Sequence, residues 1–502
     1  MGLPRKGYLL MWTLLGVAVL SLSAVGASSE LNFPRLSFEE NTVTALAVVN
    51  PGAQDAEVKL TVYGSDGQVL QGEGFQNPTD ITVAANHQFS AVTAALFGGG
   101  LDPSTVAWIQ ATSPVDDLTG FFLFLDSTAQ VIDMQTVARP EFFDGAALPQ
   151  AAFEIIFNEV RLGPEFSTEL NLVNPGNATA AVELQLIGGD NPLQGALQLP
   201  PKGAARLDVA TFFGVGQPPP ASYIIASAAV EIAGFEMIRG QGDLLGTNAL
   251  PASQLLNTIF FPQLAVLTPF ETQLVLGNYG AENAILTLSA HQPDGTLYGG
   301  DRLRSNPVTR VLEGGQALRE DVVEMFGFFG DETLEGWIDV QSTSQTINGS
   351  LSYANSSSGS LAAVTTLAKG STEAVFSHLA TSLGFFTGVA ILNPGSLAAN
   401  VRLVALLPDG TILGSFATTI QPRHRLSRLI SDLIGEAADQ GGGWVFVRSD
   451  VPVYLTSLFG TLDGKVLANI PPQSVPSSFQ PDLDLPRLTV DPPLVVVPVG
   501  GA

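Results

Sequence analysis

One signature returns four times along this chain, and it limits what the chain can fold into. The landmarks are Asn50-Pro51-Gly52, Asn174-Pro175-Gly176, Asn278-Tyr279-Gly280 and Asn393-Pro394-Gly395. The asparagines lie 124, 104 and 115 residues apart. Six residues after each stands Ala56, Ala180, Ala284 or Ala399, and sixteen residues after each stands Asp66, Asp190, Asp294 or Asp409. A period held this strictly marks a chain assembled from repeated structural units.

The pattern around the landmarks is that of strands. Leu46 and Val48, Leu170 and Leu172, Leu274 and Leu276, and Val389 and Ile391 alternate before the turn. Val58 and Leu60, Val182 and Leu184, Leu286 and Leu288, and Val401 and Leu403 alternate after it, with Lys59, Glu183, Thr287 and Arg402 between them. A period of two describes strands buried on one face. Asn-Pro-Gly suits the connection, because Pro fixes φ and Gly permits positive φ. The aspartates, three of them followed by Gly and Asp190 by Asn191, predict a second hairpin turn.

Short helix candidates then end in glycine at 91–98, 207–214, 319–327 and 427–435. Nine or ten residues later an aromatic opens an apolar strand: Trp108, Tyr223, Trp337 and Trp444. A further apolar strand follows each, as at 120–125 and 453–459. The reading is an all-β chain of four tandem β-sandwich, Ig-like repeats, each of seven or eight strands and one short helix. The repeats span 28–149, 150–253, 254–371 and 372–470. A propeller blade repeats at about 40–50 residues, too short a period for this chain. An outer-membrane barrel also alternates, but 4 Trp and 7 Tyr are few for two aromatic girdles.

The ends read differently. Arg5 and Lys6, the apolar run 8–22 and the small residues Val25-Gly26-Ala27 have the layout of a secretory signal peptide over 1–27, the alternative being an uncleaved signal anchor. No second spanning helix is expected, since the apolar run 255–267 is too short and carries Asn257, Pro262 and Gln263. Residues 471–486 form a Pro-rich linker. Residues 487–502 read as the opening strand of an incomplete Ig-like domain, or as a strand added to the last repeat.

Composition excludes several functions. The chain holds 47 acidic and 21 basic residues, a formal charge of −26, which argues against nucleic acid and anionic membranes as partners. Zero Cys removes disulfides, zinc–thiolate sites and cysteine nucleophiles. His87, His291, His378 and His424 form no H-x-x-x-H pair, and no G-x-S-x-G or Walker sequence occurs. Asp116-Asp117 and Glu320-Asp321 are the carboxylate pairs a glycosidase would need, yet neither pair recurs between repeats. The repeated aspartates predict turns rather than calcium ligands. The aromatics Trp108, Trp337 and Trp444 predict packing rather than sugar platforms, since each holds the same place in an apolar strand. Arg423-His424-Arg425 with Arg428 is the one basic cluster, expected to be a solvated loop unless it grips an anionic sugar or an acidic repeat.

The string Val48-Val49-Asn50-Pro51-Gly52, then Ala56 to Tyr63 and Asp66-Gly67, resembles repeats of uncharacterised secreted bacterial proteins with tandem Ig-like modules. The resemblance implies fold and an extracellular or envelope setting, and it transfers no catalytic residue. The expected role is non-enzymatic: a secreted or cell-surface spacer, adhesin or envelope component without a cofactor, its partner a surface glycan or protein. The alternatives are a carbohydrate-binding or carbohydrate-active protein and an outer-membrane barrel.

Overall fold

The computed structural model describes residues 29–475, except 38–41, 100, 127–142, 189–190, 217–220, 241–243, 267–269, 301–302, 329–333, 356–359, 366–368, 382–383 and 436–441. The signal segment 1–27, Asp190 and the terminal stretch 487–502 lie outside the described residues.

Alternation sets the first unit. Its strands are β1 (Ser29–Leu36), β2 (Thr42–Val49), β3 (Ala56–Gly64), β4 (Thr79–Val83), β5 (Gln88–Val92), β6 (Ala107–Ser113), β7 (Thr119–Asp126) and β8 (Phe143–Ala147). They form two antiparallel four-stranded sheets, in the orders β1-β6-β3-β4 and β5-β2-β7-β8. Phe33, Val58, Leu60 and Ile109 of one sheet meet Leu46, Val48, Phe122 and Phe124 of the other. Between β5 and β6 lies the helix α1 (Thr93–Phe97). The helix is shorter than its sequence pattern, because the preceding residues extend β5. Gly98 ends it with φ 82°.

The other three units repeat this order. In the third, Thr258–Val266, Leu334–Ser342, Ala284–His291 and Val308–Leu312 make one sheet, and Ala317–Asp321, Phe270–Asn278, Ile347–Asn355 and Leu361–Thr365 make the other. The second and fourth units differ in one respect. The two strands expected after each helix are a single long strand, Tyr223–Arg239 or Trp444–Thr461, whose halves belong to different sheets. In the second unit the pairing with Ala152–Phe157 shifts register at the join, between Ser227 and Ile232. The chain is thus nearly all β, built from filled sandwiches rather than one open cylinder.

Odd and even units also differ between the third and fourth strands. The first and third carry long connections, in which Asn77 and Asn306 play one role. Asn77 accepts from Val62 N at 2.9 Å and donates to Val62 O at 2.7 Å. Asn306 makes the same pair of bonds to Ala290, at 3.0 and 2.6 Å. The fourfold repeat is therefore also a twofold repeat of a pair.

The pairs share their interiors. Phe235, Met237 and Leu244 of the second unit join the core of the first. Leu467 of the fourth joins the core of the third, with Phe386 and Leu458 against it.

The units close into a ring. The last strands of the four sandwiches, β8, Leu244–Asn248, Leu361–Thr365 and Leu467–Ala468, touch one another in circuit, with the fourth against the first. The ring also extends past residue 470, since Gln473–Ser474 pairs with the first strand of the fourth unit, Ser371–Phe376. Leu250–Pro251 pairs in the same way with Ala152–Phe157 of the second.

Candidate functional site: the seams between units

The repeated asparagines are buried clamps. Asn50, Asn174, Asn278 and Asn393 are each 0% exposed. The amide of Asn50 donates to Gln54 O at 2.7 Å and Val83 O at 2.9 Å, and its oxygen accepts from Gly52 N at 3.0 Å. Asn174, Asn278 and Asn393 repeat every one of these bonds with the matching residues. The side chain ties its own turn to the end of the fourth strand. It needs a donor and an acceptor together, which Asn supplies and Asp does not.

A second repeated residue carries no sequence signal beyond its spacing. Thr44, Thr168, Thr272 and Thr387 stand six residues before the asparagines, and none is more than 2% exposed. Each bonds the backbone seven residues upstream: at Ser37, Arg161, Ala265 and Ala380. The offset from Asn was available to find them.

The described aspartates serve their own turns. Asp66 accepts from Gln68 N at 3.0 Å, Asp294 from Thr296 N at 2.9 Å and Asp409 from Thr411 N at 2.9 Å. The Thr296 hydroxyl and amide hold the Asp294 carboxyl below its usual range. These turns are also where one unit meets the next. The carbonyl of Ser65 accepts from Ala204 N at 3.3 Å, that of Pro293 from Arg425 N at 2.8 Å and that of Pro408 from Gln88 N at 2.9 Å. The receiving turn bears a residue at positive φ in every unit: Asn86, Lys202, Gly315 and Arg423. Close approach explains the glycine after Asp66, because a Cβ on Gly67 would lie 1.9 Å from Pro201 O.

The repeated aromatics line these seams, so they pack between units and not only within their own cores. Trp108 is fully buried against Val173, Ala204 and Ala233 of the second unit, and Tyr63 stacks on it at 5.4 Å. Tyr223 meets Tyr279 of the third unit at 4.6 Å, and burial raises its hydroxyl pKa. Trp337 stacks on His291 at 3.8 Å, with the Arg423 guanidinium of the fourth unit 5.0 Å from the indole. Trp444 packs with Val49 of the first unit.

One position per unit reaches across each seam, with different chemistry each time. Arg35 pairs with Glu169 at 2.7 Å. Glu159 meets Arg319 at 3.2 Å and accepts from Ser350 Oγ at 2.8 Å. Gln263 accepts from Arg425 at 2.6 Å and from Ser427 at 3.0 Å. His378 lies edge-on to Phe121 at 5.1 Å. Burial alone would raise the Glu159 carboxyl, but Arg319 and Arg161 hold it below its usual range. Glu236 beside it is raised well above, first by burial and then by Glu159. Its Oε1 accepts from Glu159 N at 3.1 Å.

The basic cluster is only partly solvated, with the Arg423 side chain 47% exposed. The Arg425 side chain is 1% exposed and lies 3.4 Å from Glu335, and Arg423 lies 3.5 Å from Asp339. His291 and Asp339 meet at 2.5 Å. The carboxylate pair Glu320-Asp321 is also spoken for: Glu320 binds Arg310 at 2.7 Å, and Asp321 caps the helix Val322–Phe326. Among the described residues, no three His, Asp or Glu side chains gather as metal ligands. An open groove of about 530 Å³ lies on the outer face of the first unit, lined by Glu30, Glu57, Lys59, Asp80 and Thr112.

Residues 16–118 match the model of a family of unknown function, DUF5719. No curated protein matches the chain. Among solved structures, a tetra-tandem repeat from the extending region of a large adhesion protein is 12% identical, with 90% of this chain and 100% of that one covered. Its TM-score is 0.11, too low to indicate a shared course of the chain. Over residues 16–118 the chain is similar to a family without an assigned activity.

Proposed function

We propose that this protein is a non-enzymatic recognition or scaffold module of the cell exterior or envelope, and not an extended spacer. One observation carries the reading: the fourth unit docks on the first, so the repeats add girth rather than reach. Glu320 and Asp321 are committed to an ion pair and a helix cap, and Asp66, Asp294 and Asp409 to their turns. The Trp108, Trp337 and Trp444 indoles are buried, which removes them as sugar platforms. Binding then belongs to exposed loops and open faces, such as the groove beside Glu30, Glu57 and Asp80. The layout of residues 1–27 supports export.

Small-angle scattering tests the shape. A closed ring of this size has a radius of gyration of about 22 Å. A value near twice that would mean a rod and would restore the spacer. A panel of glycans and surface proteins, probed with calcium and with chelator, tests the role. Capture lost in Glu57→Gln or Asp80→Asn supports recognition at the groove, whereas turnover of any panel member would overturn the non-enzymatic reading.

A further inference from the structure

The seams differ in how they are held. The first three join units that are consecutive in the chain, so a peptide tether backs each of them. They also carry the ion pairs Arg35–Glu169, Glu159–Arg319 and Arg425–Glu335. The fourth seam has no tether, and the contacts described across it are mainly amide, aromatic and apolar, beside the electrostatic pull of His87 on the exposed Asp409 carboxyl. The Gln88 amide donates to Ser377 O at 2.7 Å and Gly443 O at 3.2 Å and accepts from Gly443 N at 2.9 Å. Gln473 accepts from Gly120 N at 3.2 Å. Val49 packs among Val375, Val404, Trp444 and Phe446, and Phe121 packs against Phe459.

This seam is also heterologous. The hairpin of the fourth unit docks on a different surface, the receiving turn of the first, and Gly410 lies against Asn86 O. Every chain therefore carries both halves of the contact. A heterologous contact made between copies gives closed rings or open chains, and exchange of identical elements forms no new interface. The twofold repeat points to where an opened ring would bend. Within each pair the cores are shared, but the second and third units meet through separate small clusters around Tyr223 and Leu361.

We infer that the fourth-to-first seam is an exchangeable interface whose partner is a second copy of this chain. On opening, the fourth unit of one copy closes on the first unit of another, with the same Gln88 clasp. Within one chain the tethered ends hold a high effective concentration, so the single ring dominates in dilute solution. Exchange grows with protein concentration and after unfolding and refolding.

The test uses two batches of the full chain, labelled with donor or acceptor at an engineered Leu397→Cys, a site 68% exposed in a chain with 0 native Cys. The batches are mixed, unfolded and refolded together at rising concentration. Energy transfer and a species of twice the chain mass are expected. Gln88→Ala, which loosens the clasp, should speed exchange without refolding. A chain whose two ends are joined by a peptide linker should not exchange. A single-chain mass at every concentration, or equal dimerisation of the end-joined chain, would overturn the proposal.

Discussion

The indole Nε1 of Trp108 donates to the carbonyl oxygen of Lys202 at 2.8 Å, from the first unit to the second. The bond explains why an aromatic with a donor suits this place. Trp108→Phe should cost about 1 kcal/mol, since it removes the donor from a part-buried carbonyl. Trp108→Ala should cost about 3–5 kcal/mol, from the cavity between two units. Urea unfolding would check both. A neutral Trp108→Ala would mean the seam does not contribute to stability.

Asn393→Asp should be among the most damaging single changes. It removes the donor that serves Leu397 O and Ile420 O and puts a carboxylate in a fully buried place. The expected loss is about 3 kcal/mol or more. Thermal melting at pH 7 is the measurement, and the same change at Asn50 should behave alike.

Glu236 makes the ring more stable in mild acid than in base, as far as this one group acts. Its raised pKa means the folded chain keeps a proton that the unfolded chain releases. Its stabilising contribution is complete below the ordinary glutamate pKa and drains away as pH rises. Glu236→Gln keeps the acceptor for Glu159 N and removes the titration. The variant should melt above the parent at pH 8, with the gap closing toward pH 4. A constant gap would contradict the sign.

His378 acts in the opposite sense. Burial lowers its imidazole pKa to about 4, and its Nε2 has no partner. The unfolded chain takes up the proton first, so stability falls from about pH 6.5 down to about pH 4. The loss totals about 3 kcal/mol when complete. His378→Leu should flatten that part of the pH–stability profile. An unchanged slope would show that the imidazole titrates in solvent.

The aspartate turns should tolerate change. Asp294→Ala removes two exposed bonds to Thr296 within its own turn and should cost about 1 kcal/mol or less. Chelator should leave the melting temperature of the parent unmoved. A calcium-dependent rise lost in this variant would revive the ligand reading.

The sandwiches were legible because strand burial writes itself into alternation, and Asn50 or Asp66 sits at a turn whose geometry demands its side chain. The helices were legible to their last residue, since Gly214 and Gly327 take the left-handed conformation at their ends. The join within Tyr223–Arg239 was not, because apolar strand reads as strand whether or not it changes sheets. Thr44 and its counterparts were hidden by looking like ordinary strand residues. The seams were hidden for a different reason. Arg35, Glu159, Gln263 and His378 hold one structural place but share no residue type, so self-comparison finds nothing there. Their variety reflects the different surface each unit meets.

Closure also fixes arithmetic. On average each seam turns the course of the chain by about a quarter of a circle, because four seams complete one circuit. A fifth copy inserted by duplication would leave the last hairpin past its receiving turn, and a lost copy would leave a gap that Gln88 does not reach. A chain of this architecture that gains or loses a repeat therefore needs a matching change in seam angle to stay closed. The shape of one small joint thus limits how many units this ring can close around.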